Sequence, residues 1–185
     1  MRQIVSAIRY IHSKNLMHRS LRLENIKVNL SNTGDLKTDL LKATVKIVDF
    51  SMAVVGFGKT ILNNQENTDP YILKKHQEKL ANKASENTFY DLKIDIWSLG
   101  TICYQMLIGK PIFDANSLND LVIKVEEGTY AIPTTLSREV VSFLNSMLQY
   151  KGENRLDAEK LSSEDDEEIL LNINEEVKNF PLNNS

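Results

Sequence analysis

Cysteine occurs once, at Cys103, so no internal disulfide can form and no cysteine-rich metal site can be built. A lone thiol inside an apolar run reads as a buried core residue rather than a reactive one. Four prolines and seven glycines are too few for a collagenous or low-complexity chain. A dominant charge sign is also lacking. The 22 Lys and Arg against 25 Asp and Glu leave a net −3, which excludes the basic footprint that nucleic acid requires. The longest apolar stretch, 94–108, is broken by polar residues and too short to span a bilayer. The first ten residues, MRQIVSAIRY, carry Arg2 and Arg9 within a helical pattern, unlike a secretory leader. No internal repeat is present. The expectation is a cytoplasmic chain in which the sequons at Asn29 and Asn183 have no role.

What is present suits one folded domain. Hydrophobic residues make up 42% and charged residues 25% of the 185, the balance of a globular chain. Ile4, Val5, Ile8 and Ile11 recur at helical spacing and predict an amphipathic helix over 2–14. Short strands follow at 26–29 and 44–48, joined by a polar connection in which Asn32 and Gly34 suit a turn. Together they read as a hairpin with a long loop. Residues 51–93 are loop-rich, and KKHQEKLANKAS within them predicts an exposed helix or an insertion. In IDIWSLGTICYQMLI (94–108) apolar side chains surround the helical wheel, so this helix is the spine of the core. A short helix at 117–127 stops at Gly128. Ser137 caps the next, whose apolar face is Val140, Val141, Phe143, Leu144, Met147 and Leu148. Another helix begins over 157–161. The tail from 162 to 185 is acidic, and Ile169, Ile173 and Val177 predict a helix over about 165–179. It folds onto its own domain or is offered to a partner.

Six segments share an order: HRSLRLEN (18–25), VKIVDFSMA (45–53), NTDPYILKK (67–75), DIWSLG (95–100), GKPIFD (109–114) and the distant Arg155. In this order and spacing the chain resembles the C-terminal lobe of a serine/threonine protein kinase over 1–161. KVEEGTYAIP and FLNSMLQY are similar to the calcium/calmodulin-dependent group. The resemblance implies a mainly α fold carrying a small β hairpin. It also implies that the family's N-terminal lobe, with its glycine-rich loop, strand lysine and helix glutamate, is absent.

The chemistry departs from the family. Ser20 stands where the family has the Asp that receives the substrate hydroxyl's proton, a service worth roughly 10²–10⁴-fold. Arg22 replaces the Lys that meets the transferred phosphate. Asn25 and Asp49 match the residues that hold Mg²⁺, so they are the vestigial Mg-ATP positions. They equally suit a loop tie and a backbone bond. Ser51 replaces the Gly of D-F-G, and Lys27 lies where an apolar residue floors the adenine. Lys75 falls where the family has a Glu that pairs with Arg155. We therefore expect Lys75 to turn outward and an acid such as Glu78 to take its place. Thr68 matches a Thr whose partner, the catalytic Asp, is gone. GFGKT at 56–60 resembles the end of a P-loop, but Ala53 occupies the position of the first required glycine.

The resemblance assigns structural roles to His18 and Phe50, which stack in the core, and to Asp95, which receives backbone amides of the catalytic-type loop. It leaves Arg19 a poised cation, Trp97 a core filler and Arg155 a buried charge. The implied function is an inactive pseudokinase acting as a protein-binding or scaffold module, with no cofactor and no metal. Its protein partner would cover the surface normally under the N-terminal lobe, beside Asn25, Val28, Phe50 and the first helix, with the tail helix as a second contact. The alternative is a fragment or half-site of an ATP- and Mg-dependent kinase.

Overall fold

The computed structural model describes residues 1–56, 92–128, 130–149 and 151–162. The activation-type segment with Thr68, Lys75 and Glu78, the KKHQEKLANKAS stretch, most of GFGKT and the acidic tail lie outside them.

Helix α1 (Arg2–Ser13) buries Ile4, Val5, Ile8 and Ile11, the apolar face its spacing predicts. It ends at Lys14, and Asn15 turns the chain through a left-handed φ of 57°. Strand β1 (Leu16–Met17) follows, then a 3-10 turn at Leu23–Asn25. Strands β2 (Ile26–Asn29) and β3 (Thr44–Ile47) pair antiparallel with Ile26 opposite Ile47 and Lys27 opposite Lys46. Strand period two sends Ile26, Val45 and Ile47 onto the core and leaves Lys27 and Lys46 exposed. The predicted hairpin is therefore present, with Asn32 and Gly34 at positive φ in its connection.

That connection is not simply a loop. It holds helix α2 (Leu36–Leu41), capped by Asp35, whose carboxylate accepts from the Thr38 N–H and hydroxyl. Strand β4 (Val54–Val55) pairs with β1, Leu16 opposite Val55 and Met17 opposite Val54.

Helix α3 (Lys93–Ile108) buries eleven of its sixteen residues, and a helix apolar on all sides has no other stable place. It ends at Gly109, whose φ of 75° suits a residue without a Cβ. Helix α4 (Leu118–Glu127) begins at a Ser117 cap and stops at Gly128. Helix α5 (Arg138–Met147) begins where Ser137 Oγ accepts the Val140 N–H. Of its predicted face, Val140, Phe143, Leu144, Met147 and Leu148 are buried and Val141 is half-buried. Helices α3 and α5 pack so closely that a Cβ on Gly100 would lie 2.9 Å from Leu148 Cδ2 and 3.0 Å from Met147 Cβ. The predicted helix over 157–161 is a single 3-10 turn at Lys160–Ser162, with Leu161 fully buried.

Candidate functional site

The loop from His18 to Asn25 leaves β1 and is moored from below by α3. Asp95, wholly buried, accepts the His18 N–H through Oδ2 and the Arg19 N–H through Oδ1, each at 2.8 Å. His12 from α1 adds its Nε2 at 2.9 Å to Asp95 Oδ2. These bonds hold Arg19 at a φ of 64°, a conformation that costs a side-chain-bearing residue free energy. Arg19 is the poised cation of the sequence reading. It is buried, and its Nε donates to the Met52 carbonyl.

His18 reads as structural in every contact. Its Nε2 lies 3.1 Å from the Val48 carbonyl, which can only accept, so this nitrogen carries the proton. Its Nδ1 accepts the Ser20 N–H at 3.3 Å. The Phe50 ring meets it edge-on, centroids 4.6 Å apart. Phe50 is nonetheless 42% exposed and Val28 55% exposed, both on the surface predicted to receive a partner.

Ser20 sits in the middle of the site, half-buried. Asn25 donates its amide to the Ser20 carbonyl at 2.8 Å and to Ser20 Oγ at 3.3 Å. The loop-tying role is thus present, and Asn25 Oδ1 is the atom left to face a cation. Asp49 is exposed at a φ of 63°. Its Oδ1 accepts the Ser51 hydroxyl at 2.6 Å and the Ser51 N–H at 3.3 Å. Those two bonds, the hydroxyl first, hold its carboxyl below the usual range. Arg22 is partly exposed and bonds Glu24 Oε2 at 2.9 Å. Beside the loop a groove lined by Arg19, Arg22, Gln105, Ile112, Phe113 and Leu121 combines cationic and apolar walls.

Mg²⁺ demands about six oxygen ligands, and two protein oxygens suffice only when phosphates and water complete the shell. Asn25 and Asp49 offer two, and Ser51 already engages one oxygen of Asp49. The fit to Mg-ATP is therefore partial, and Lys27, which the resemblance would set under an adenine, is exposed on β2. Among the described residues no group of three His, Cys, Asp or Glu side chains is placed to hold a metal ion.

Arg155 and Trp97 lie on the far side of α3. Arg155 donates to the Gln149 carbonyl at 2.6 Å and the Lys93 carbonyl at 3.1 Å, and its guanidinium lies 4.7 Å from the Trp97 ring centroid. Carbonyl dipoles and an aromatic face meet this charge, and Glu78, the acid expected to pair with it, lies outside the described residues. Trp97 is buried and lies parallel to Phe113 at 6.5 Å, as a core filler would. Two contributors escaped the sequence reading. His12 had a signal, a histidine in the last turn of an amphipathic helix. Gln3 had none: its Oε1 accepts the Val45 N–H and its Nε2 donates to the Ala43 carbonyl.

This arrangement, an aspartate on a central buried helix mooring an H-R-x loop beside an Asn and a D-F-x turn, is that of a kinase domain. The sequence profile of the family described as "Protein kinase domain" matches residues 1–165. The chain belongs to the protein kinase family. It is 36% identical over 154 residues to "Probable serine/threonine-protein kinase nek3" of Dictyostelium discoideum, covering 83% of this chain and 12% of that one. It is 32% identical over 169 residues to "Calcium-dependent protein kinase 5" of Plasmodium falciparum, 87% and 26% respectively. It is 34% identical over 160 residues to human "Serine/threonine-protein kinase ULK1", 85% and 14%. The chain spans a quarter or less of the length of most of these relatives. Among the described residues no helix is long and apolar enough to cross a membrane.

Proposed function

We propose that this chain forms a kinase C-terminal lobe that no longer transfers phosphate and serves as a protein-binding scaffold within a larger assembly. The observation that carries the reading is the pair of serines in the site. Ser20 occupies the place of the proton acceptor and takes an Asn25 hydrogen bond, while Ser51 replaces a glycine and occupies Asp49. A hydroxyl cannot hold the substrate's proton near neutral pH as a carboxylate does. A hydroxyl of this chain thus engages one carboxylate oxygen of Asp49, while the Asn25 bond to Ser20 spends its amide nitrogen on tying the loop. The binding surface is the exposed one beside Asn25, carrying Val28 and Phe50.

The test is a titration with Mg·ATP followed by melting temperature, together with a radiolabelled-phosphate assay. A ligand at 100 times its dissociation constant would add about 2.7 kcal/mol. No shift at millimolar Mg·ATP and no labelled product are expected. A second reading, a fragment or half-site of an active ATP-dependent kinase, is favoured by Asn25 Oδ1 and the exposed Asp49 carboxylate. A melting shift with Mg·ATP that is lost in Asp49→Asn would establish nucleotide binding and favour that second reading. Labelled product would overturn the first.

A further inference from the structure

The β2–β3 hairpin has one closed edge and one open edge. The Val48 N–H donates to the Asn25 carbonyl at 2.9 Å. Antiparallel pairs alternate between those that exchange backbone hydrogen bonds and those that do not. In the observed register Lys27 and Asn29 therefore spend their backbone groups on Lys46 and Thr44. The pairs between, Ile26 with Ile47 and Val28 with Val45, turn theirs outward. On β3 the outward Val45 N–H meets Gln3 Oε1 at 2.8 Å, and the Ala43 carbonyl takes Gln3 Nε2 at 2.9 Å. On β2 the Ile26 N–H closes the 3-10 turn onto the Leu23 carbonyl. That leaves the Ile26 carbonyl and both backbone groups of Val28 on the outer edge, with no hydrogen-bond partner among the described residues. Val28 is 55% exposed, and Leu30, one residue past the strand and in step with it, is 37% exposed. Lys27 is the one charge on β2, and strand period two points it to the opposite face.

We propose that the outer edge of β2 pairs antiparallel with β2 of a second copy of this chain, about a two-fold axis at Val28. The edge is its own complement. In this register Val28 faces Val28 of the copy, Ile26 faces Leu30, and Lys27 faces Asn29. Each Val28 N–H donates to the other Val28 carbonyl, and each Leu30 N–H to the Ile26 carbonyl across the axis. A two-fold at Lys27 would instead set lysine opposite lysine, which destabilises an antiparallel pair. Charge thus selects the register, and one patch used twice satisfies it. Two sheets of two strands become one sheet of four, an addition that steadies a two-stranded hairpin. The edge strand is four residues long, so the dimer is weak and forms with rising concentration. The inference goes beyond the scaffold reading: it needs only the strand edge, and neither an inactive site nor a further protein.

The experiment is sedimentation equilibrium of the full 185-residue chain over about 10 µM to 1 mM. The weight-average mass is expected to rise from one chain toward two. Val28→Lys places like charges at the two-fold and should lower the association constant by about tenfold or more. The side chain is exposed, so circular dichroism should not change. Oxidative cross-linking reads the register independently. Val28→Cys should give a disulfide-linked dimer, because a hydrogen-bonded pair holds its Cα atoms about 5.5 Å apart, within disulfide reach. Lys27→Cys should not, because its counterpart is Asn29. Cys103 is buried and takes no part. A mass that stays at one chain up to about 1 mM overturns the proposal. So does a dimer that Val28→Lys leaves intact, or cross-linking that is equal at positions 27 and 28. Nucleotide binding and labelled product are read separately, so failure here leaves the function proposed above standing.

Discussion

Cys103 lies at 0% exposure on α3, and burial pushes its thiol from an ordinary 9.0 up to about 12. A thiol held neutral is a poor nucleophile. The folded chain should therefore resist a disulfide-exchange reagent at pH 8 and react only on unfolding. The same shift sets an alkaline limit. The folded pKa lies above the unfolded one, so the stabilising contribution is complete below about pH 9 and is lost as pH climbs toward about 12. Burial raises Tyr104 and Tyr130 in the same direction. Denaturant midpoints measured from pH 8 to 11 should fall, and Cys103→Ala should fall less steeply. The sequence reading placed this thiol in the core because apolar residues surround it on every side of the helix. Arg155 was harder. A charge at a buried position demands partners, but which atoms supply them depends on where Lys93 and Gln149 end their segments, and no local pattern encodes that.

Edges and close approaches decide the elements. Gln3 presents an amide to the outer edge of β3 as another strand would, accepting from Val45 and donating to Ala43. It ties α1 to the hairpin and closes a strand edge that could otherwise pair with a second chain. Gln3→Ala should cost about 1–2 kcal/mol from two lost hydrogen bonds. Amide exchange at Val45 should accelerate by more than the global loss explains, and equal protection at that amide would refute the edge role. Gly100 governs the other contact. It has no room for a methyl against Leu148 and Met147, so Gly100→Ala should destabilise by about 1–3 kcal/mol despite alanine's better helix propensity. Chemical denaturation checks the sign. Period and caps made α1, α3, α4 and α5 legible. The α3–α5 contact was not, because a helix apolar all round does not declare which side meets its neighbour. Helix α2 was hidden inside a run that reads as polar loop, although Asp35 and Thr38 formed its cap in plain view. Strands β1 and β4, two residues each, are too short to carry a period.

Across the whole molecule, the residues that hold the shape and those in phosphate-transfer positions separate by burial. Asp95 and Arg155 are each at least 97% buried, and their bonds join α3 to the loop from His18 and to the segment after α5. Asp49 and Arg22 are exposed or partly so, and the side-chain bonds given above for them, to Ser51 and Glu24, are local. If the lobe persists as a shape, stability should follow the first pair and ignore the second. Asp95→Ala strands two amides and His12, and Arg155→Ala strands two carbonyls and opens a void against Trp97. Each should cost about 3 kcal/mol or more. Arg22→Ala, together with Asp49→Asn, which keeps a residue tolerant of the positive φ there, should stay within about 0.5 kcal/mol. Urea midpoints for the four variants test the division. A large loss at Asp49 or Arg22 would mean that the site still braces the lobe. In that case its departures from the family pattern would bear on folding as well as on chemistry.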